Sequence, residues 1–167
     1  DKFLNAICNL FLEKPAEAFF VLAAKIESKE NKLGSGGNWH RDINFPNQFK
    51  AMMYLTDVDE KNGPFEYITG TNKWFSLIDG IINFGTKDNQ NRLNSIVVNK
   101  FIQNYKYNKV TFHAKKGTLI LFNSFGIHRG APLESSHRYA ITNYYYPTDH
   151  IKSNFDRLVK KFKIPTN

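Results

Sequence analysis

Asn38-Trp39-His40-Arg41-Asp42 sets an imidazole and a carboxylate two residues apart. In an extended segment alternate side chains share a face, so His40 and Asp42 are expected to project side by side from a strand. The loop Gly34-Ser35-Gly36-Gly37 leads into them, and a second histidine follows far downstream in Phe125-Gly126-Ile127-His128-Arg129-Gly130. Two imidazoles and one carboxylate on one face of a metal form the facial triad of non-haem Fe(II) oxygenases, which leaves three coordination positions open. H-x-D alone is a common pattern. The reading therefore needs a fold that brings residues 42 and 128 together.

The flanking sequence supplies short strands. In 49–57, Ala51, Met53 and Leu55 fall on one face and Lys50, Met52, Tyr54 and Thr56 on the other. Asp59-Glu60-Lys61-Asn62-Gly63-Pro64 is a turn, and 65–69 is the next strand. Asn72 is placed to cap a short helix through about Ile78. Residues 80–105 are polar and Asn-rich and read as a long insertion. Strands are expected at 108–113 and 118–122, around the turn Lys116-Gly117, and the last at 138–146. Upstream, residues 2–13 place Phe3, Ile7, Leu10 and Phe11 on one helical face. Residues 18–27 are ambiguous between helix and strand, and strand is preferred because a Gly-rich loop and the H-x-D segment follow. In the tail, 148–163, Ile151, Phe155, Leu158, Val159 and Phe162 form an apolar stripe opposite Lys152, Arg157, Lys160, Lys161 and Lys163. A helix packed on a sheet is preferred over one lying on a membrane surface. The fold class expected is mainly β with flanking helices: a two-sheet jelly roll or barrel forming a single domain over 1–167.

Composition bounds the function. The chain is 41% hydrophobic and 15% aromatic, which suits a globular core and argues against disorder. One cysteine, Cys8, excludes an internal disulfide framework. No run of about 18 apolar residues exists, so no membrane span is expected. No signal peptide is visible, and a cytoplasmic location is expected. The net charge of +8 lies wholly after residue 66, where fifteen basic side chains face five acidic ones. Basic excess can serve nucleic acid, an anionic membrane or an acidic substrate. These lysines stand singly among Asn and Tyr, so a solvated surface is preferred.

Taken in order, NWHRD, MMYLTDVDEKNGPFEYITGTNK, KGTLILFNSFGIHRGAP and HRYAITNYYYP resemble the phytanoyl-CoA dioxygenase family of Fe(II)/2-oxoglutarate oxygenases over about residues 34–147. The NGP turn with its following strand and G-[ST]-x-K segment is the distinctive companion of the triad. The resemblance implies a double-stranded β-helix with iron in its open mouth. His40, Asp42 and His128 map onto the metal ligands, and Arg138 onto the arginine that family members carry about ten residues after the distal histidine. A guanidinium there would hold the far carboxylate of the co-substrate 2-oxoglutarate bidentately. The resemblance implies that dioxygen would be consumed, succinate and CO2 released, and a small-molecule substrate hydroxylated. Halogenating relatives replace the carboxylate with a small residue, whereas Asp42 fills that position here.

Three departures are visible. Residues 1–39 are a shorter lead-in than is usual in the family. Gly130 stands where relatives often carry a serine that helps hold the co-substrate, so Tyr54 or Thr142 is expected to stand in. Asn72 replaces a histidine. Asn38, two before His40, is a further candidate for contact with co-substrate or substrate. Arg41 and Arg129 alternate away from the ligands, and surface pairing is expected for both. His113, His137 and His150 are expected in solvent or structural roles.

Three other readings remain. A nucleic-acid demethylase of the same superfamily typically carries a second arginine six residues after the first, where Tyr144 stands, so no specific nucleic-acid partner is expected. A cupin-type enzyme without 2-oxoglutarate, or a jelly-roll binding module with a structural metal, lacks a use for Arg138.

Overall fold

The computed structural model describes residues 1–27, 37–42, 48–87, 90–104, 106–134 and 137–162. The loop Gly34-Ser35-Gly36 and Lys163 lie outside them, and no side chain is described beyond Lys160. The order is α1 (Lys2–Leu12), β1 (Ala16–Glu27), β2 (Phe49–Tyr54), a 3-10 turn (Glu60–Asn62), β3 (Phe65–Thr69), α2 (Trp74–Asp79), a π-helical turn (Gly80–Phe84) and α3 (Ser95–Gln103). It continues with β4 (Asn108–Phe112), β5 (Leu119–Asn123), β6 (His128–Gly130), β7 (His137–Pro147) and α4 (Thr148–Phe162). Two antiparallel sheets, β1-β7-β2-β5 and β4-β3-β6, form the expected jelly roll.

The alternation in β2 builds both layers. Phe49 and Ala51 turn outward onto Leu4 and Cys8 of α1, with Ala16 and Tyr145. Met52 and Tyr54 turn inward and pack with Val58, Phe65, Ile120 and Ala140 between the sheets. Burying each large side chain of this inner cluster is worth about 1.5–3 kcal/mol. Tyr54 is fully buried, and its hydroxyl accepts from Phe65 N–H and donates to the Phe112 carbonyl, so the sheets are joined by hydrogen bonds as well as contact. Across the larger sheet, Lys50 pairs with Tyr144 and Phe122, Met52 with Thr142, and Tyr54 with Ala140. Cross-strand partners share a face, so these residues form successive rows of the interior.

Several expectations change. The buried face of α1 is Leu4 and Cys8, with Ile7 partly covered, while Phe3 and Leu10 point to solvent. Helical spacing fits either face; Cys8, a small buried apolar residue, decides between them. Helix α2 is capped at Lys73, not Asn72, and without a side-chain hydrogen bond. Residues 80–105 read as polar, yet Phe84, Leu93, Val97, Val98 and Phe101 form one core with Trp39, Ile68, Tyr107 and Ile127. Its few apolar residues converge from the π-helical turn and α3, a pattern too short to show periodicity. The tail is helical as expected, with a break at Asn154. Ile151 and Leu158 are buried against Tyr146, while Lys152, Arg157 and Lys160 are exposed. No helix among the described residues is long and apolar enough to cross a membrane.

Gly126 tests the packing beside the second histidine. A Cβ there would lie 2.0 Å from the Tyr67 hydroxyl and 2.3 Å from its ring. Tyr67 cannot easily retreat, because its hydroxyl donates to the Asn123 carbonyl at 2.9 Å. Gly126→Ala is expected to destabilise the protein by about 1–3 kcal/mol, read by urea unfolding. A change under about 0.5 kcal/mol would mean that the contact is softer than the geometry implies.

Candidate metal centre

His40 and His128 face one another as an antiparallel bridge. His40 N–H donates to the His128 carbonyl at 3.0 Å, and His128 N–H to the His40 carbonyl at 2.9 Å. Segment 37–42 is therefore not a regular strand, as the sequence suggested, but a bridge at the end of the smaller sheet. The alternation still holds. Trp39 turns into the hydrophobic cluster and Arg41 into the protein, while His40 and Asp42 converge. Asp42 N–H donates to the Ser124 carbonyl at 2.9 Å, which fixes the third residue. Ser124 is held in turn by Gln48.

The result is a three-residue donor set. One ligand atom from each of His40, Asp42 and His128 lies within 4.8 Å of the others. The imidazole centroids are 4.3 Å apart. Nδ1 of His40 lies 2.8 Å from the Asn38 carbonyl, and Nδ1 of His128 lies 2.8 Å from the Gly126 carbonyl. A carbonyl only accepts, so each Nδ1 carries the proton and each Nε2 keeps its lone pair. A backbone carbonyl behind the ring is the usual support of a metal-binding histidine. Asn38 thus serves the site through its backbone, and the residue itself is exposed.

Electrostatics keep the set deprotonated. Burial pushes His128 down to about 3, helped by His40 and Lys50. His40 is lowered too, first by burial. For Asp42, burial raises the pKa, but the Lys50 ammonium beside it outweighs this and holds the carboxyl well below its usual range. Phe65, Tyr67 and Phe122 surround His128 at centroid distances of 5.7, 6.4 and 5.4 Å.

Arg138 packs against Gly130, two residues beyond His128. It is buried, and its Nε and Nη1 find no hydrogen-bond partner among the described residues. Burial lowers its pKa, with Tyr54 opposing that shift. A buried guanidinium left unpaired is costly, so these atoms could receive an anion. A Cβ on Gly130 would meet Arg138 Nη2 at 2.6 Å. Glycine therefore admits the guanidinium where a side chain would exclude it. Gly130 is two residues beyond His128, about 7 Å along a strand, which suits a short dicarboxylate spanning from the triad to Arg138. Thr142 lies on the row between Lys50 and Tyr54. The hydroxyl of Tyr54 is already engaged by Phe65 and Phe112.

Two charged side chains were misjudged or missed from sequence. Arg41 is not at the surface but 3% exposed. Its Nη1 donates to the Thr71 carbonyl and Ser76 Oγ, and its guanidinium lies over Phe101 and Phe125. Arg129 does pair, with the buried carboxylate Glu66 at 2.6 Å, and stacks on Trp39 at 4.4 Å. Lys50 was assigned only a strand face. Its ammonium lies 2.5 Å from Asp42 Oδ2, and the only available signal was a lysine at an otherwise apolar inward position.

A family model described as phytanoyl-CoA dioxygenase matches residues 4–140. No curated protein sequence matches at a significant level. Among solved structures, the epimerase SnoN in complex with Fe3+, alpha ketoglutarate and nogalamycin RO is 16% identical, with a TM-score of 0.59 over 86% of this chain and 55% of that one. The carbocyclase SnoK from nogalamycin biosynthesis is 17% identical, with a TM-score of 0.57 over 86% and 55%. EctD from S. alaskensis with 2-oxoglutarate and 5-hydroxyectoine is 15% identical, with a TM-score of 0.58 over 89% and 50%. At these identities the likeness is one of fold. The chain spans about half the length of these structures.

The lowered pKa of His128 has a measurable consequence. The unfolded imidazole takes up a proton below about pH 6.5, and the folded one does so only near 3. Stability of the metal-free protein is therefore full above about pH 6.5 and is lost as the pH falls toward 3. Between pH 7 and 5 the loss from this group is about 2 kcal/mol. Urea unfolding of wild type and His128→Gln across that range should show a steeper fall in the wild type; parallel curves would contradict the burial of a neutral His128.

Proposed function

The chain belongs to the phytanoyl-CoA dioxygenase family, and from that premise we propose that it is an Fe(II)- and 2-oxoglutarate-dependent dioxygenase hydroxylating a small-molecule substrate, with release of succinate and CO2. The observation that carries this reading is the unpaired guanidinium of Arg138 in the same interior as the His40, Asp42 and His128 donor set. A structural metal site needs no such cation. Relatives in fold whose structures contain iron and 2-oxoglutarate support it, and since they include an epimerase and a carbocyclase, the reaction type rests on this chain's own residues.

When bound, iron and 2-oxoglutarate would activate dioxygen and supply the oxidising equivalent. The chain's residues do the rest. His40 and His128 present Nε2 lone pairs whose tautomer is set by the carbonyls behind them. Asp42 adds the negative charge and keeps a carboxylate at the third position, which favours oxygen insertion over halogenation. Arg138 would take the far carboxylate of the co-substrate, with Thr142 two rows away, beyond the Tyr54–Ala140 row. Tyr54 stiffens that end of the interior through its two backbone hydrogen bonds. Phe65, Tyr67 and Phe122 exclude water from the side of His128.

A second reading keeps the donor set as a metal site but gives Arg138 no co-substrate to hold. In that case the chain is a jelly-roll binding module or a cupin-type enzyme with no use for 2-oxoglutarate.

Anaerobic titration of the Fe(II)–2-oxoglutarate charge-transfer absorbance separates the two. Wild type should develop the band. Arg138→Ala should bind iron normally but weaken 2-oxoglutarate by at least about tenfold, the equivalent of one charge-assisted hydrogen bond. Arg138→Lys should rescue poorly, having a point charge in place of a planar fork. Unchanged affinity in Arg138→Ala would assign the carboxylate to another residue, and no band in the wild type would favour the second reading.

A further inference from the structure

We propose that Lys50 is a positioning residue that restricts Asp42 to binding a metal through one oxygen. The inference rests on the metal-site reading above and concerns a residue outside the donor set. Three observations meet at Lys50. Its side chain is only 9% exposed, and its Nζ lies 2.5 Å from Asp42 Oδ2. The ammonium is boxed by aromatic faces, 4.6 Å from the Tyr144 ring and 5.9 Å from Phe122. Those rings belong to its cross-strand partners, so the position is set by sheet register and not by a flexible surface rotamer.

The chemistry follows from counting oxygens. A carboxylate can hold a divalent ion with one oxygen or both. With two imidazoles and one oxygen, three of six positions stay open; with two oxygens, only two do. Two open positions are taken by a chelating 2-oxo acid, and the third is needed for dioxygen. Asp42 Oδ2 faces a buried ammonium whose acidic partner, among the described residues, is Asp42 alone. Turning Oδ2 toward a metal would strand that ammonium, which is costly in a buried place. Oδ2 therefore stays with Lys50, and Oδ1 is left for the metal.

This device weakens metal binding while it shapes it. The ammonium cancels much of the carboxylate charge and repels a dication. Even with the screening of bulk water, a unit charge and a dication about 4 Å apart repel by more than a tenfold change in affinity represents.

Mn(II) serves as the probe, with affinity read by electron paramagnetic resonance and bound waters counted by line broadening in 17O-enriched water. Wild type should bind one Mn(II) that retains three waters. Lys50→Met, an unbranched side chain one atom shorter and without the charge, should bind Mn(II) at least about tenfold more tightly and retain two waters. Lys50→Arg should restore three waters and an affinity near that of the wild type. Without metal, Lys50→Met leaves Asp42 uncompensated, so its melting temperature should drop and its rise on adding Mn(II) should exceed the wild type's. Lys50→Gln provides the same comparison if the methionine variant does not fold. Three waters in the neutral variants, or weaker binding in them, overturns the proposal. Absence of Mn(II) binding by the wild type overturns the metal-site reading itself, so the two failures are distinguishable.

Discussion

Two backbone hydrogen bonds between His40 and His128 are the constraint on which the site depends. They join a segment outside any regular strand to the first residue of β6, and so bring together side chains far apart in the chain. Each such bond contributes only about 0.5–1.5 kcal/mol net. The larger share of the holding comes from behind. Trp39 and Ile127, the neighbours of the two histidines, are buried in one cluster with Ile68, Phe84, Val98 and Phe101. Arg41 ties the same region to residues 71–76, and Thr71 Oγ1 accepts from Ile127 N–H. The geometry of the donor set is thus fixed by residues that do not belong to it.

Three buried cations divide the interior by how each is satisfied. Arg41 is met by carbonyl and hydroxyl oxygens and by aromatic faces, and it serves the fold. Lys50 is met by a carboxylate of the donor set, which makes it part of the site's electrostatics. Arg138 keeps two nitrogens without a partner among the described residues. Buried polar groups are nearly always hydrogen-bonded, which is why the unsatisfied one is the cation on which the proposed function rests. The same side chain read from sequence alone was a charge at a suggestive spacing; its burial gives the argument weight.

Strands β2, β3, β4, β5 and β7 were legible because alternation and turn residues bracket each one closely. Gly63 and Gly117 both adopt positive φ, at 67° and 89°, which explains why glycine marks those turns. The donor set was legible because alternation survives even where no regular strand exists. What was not legible depends on long-range packing. The face of α1 was misassigned because Phe3 and Leu10 look apolar yet point to solvent. Residues 80–105 looked like an insertion because their core contacts are with Trp39, Ile68 and Ile127, distant in sequence. Arg41 and Lys50 were read by residue type, and nothing local in a sequence reports that a charge is buried.

The central claim is that the protein fold, before any metal arrives, presents both Nε2 lone pairs to one point. Long-range 1H–15N spectra of metal-free, histidine-labelled protein at neutral pH test it most directly. His40 and His128 should both be neutral Nδ1–H tautomers, and one equivalent of Zn(II) should shift both Nε2 resonances together. An Nε2–H tautomer in either ring, or a shift confined to one of them, would contradict it.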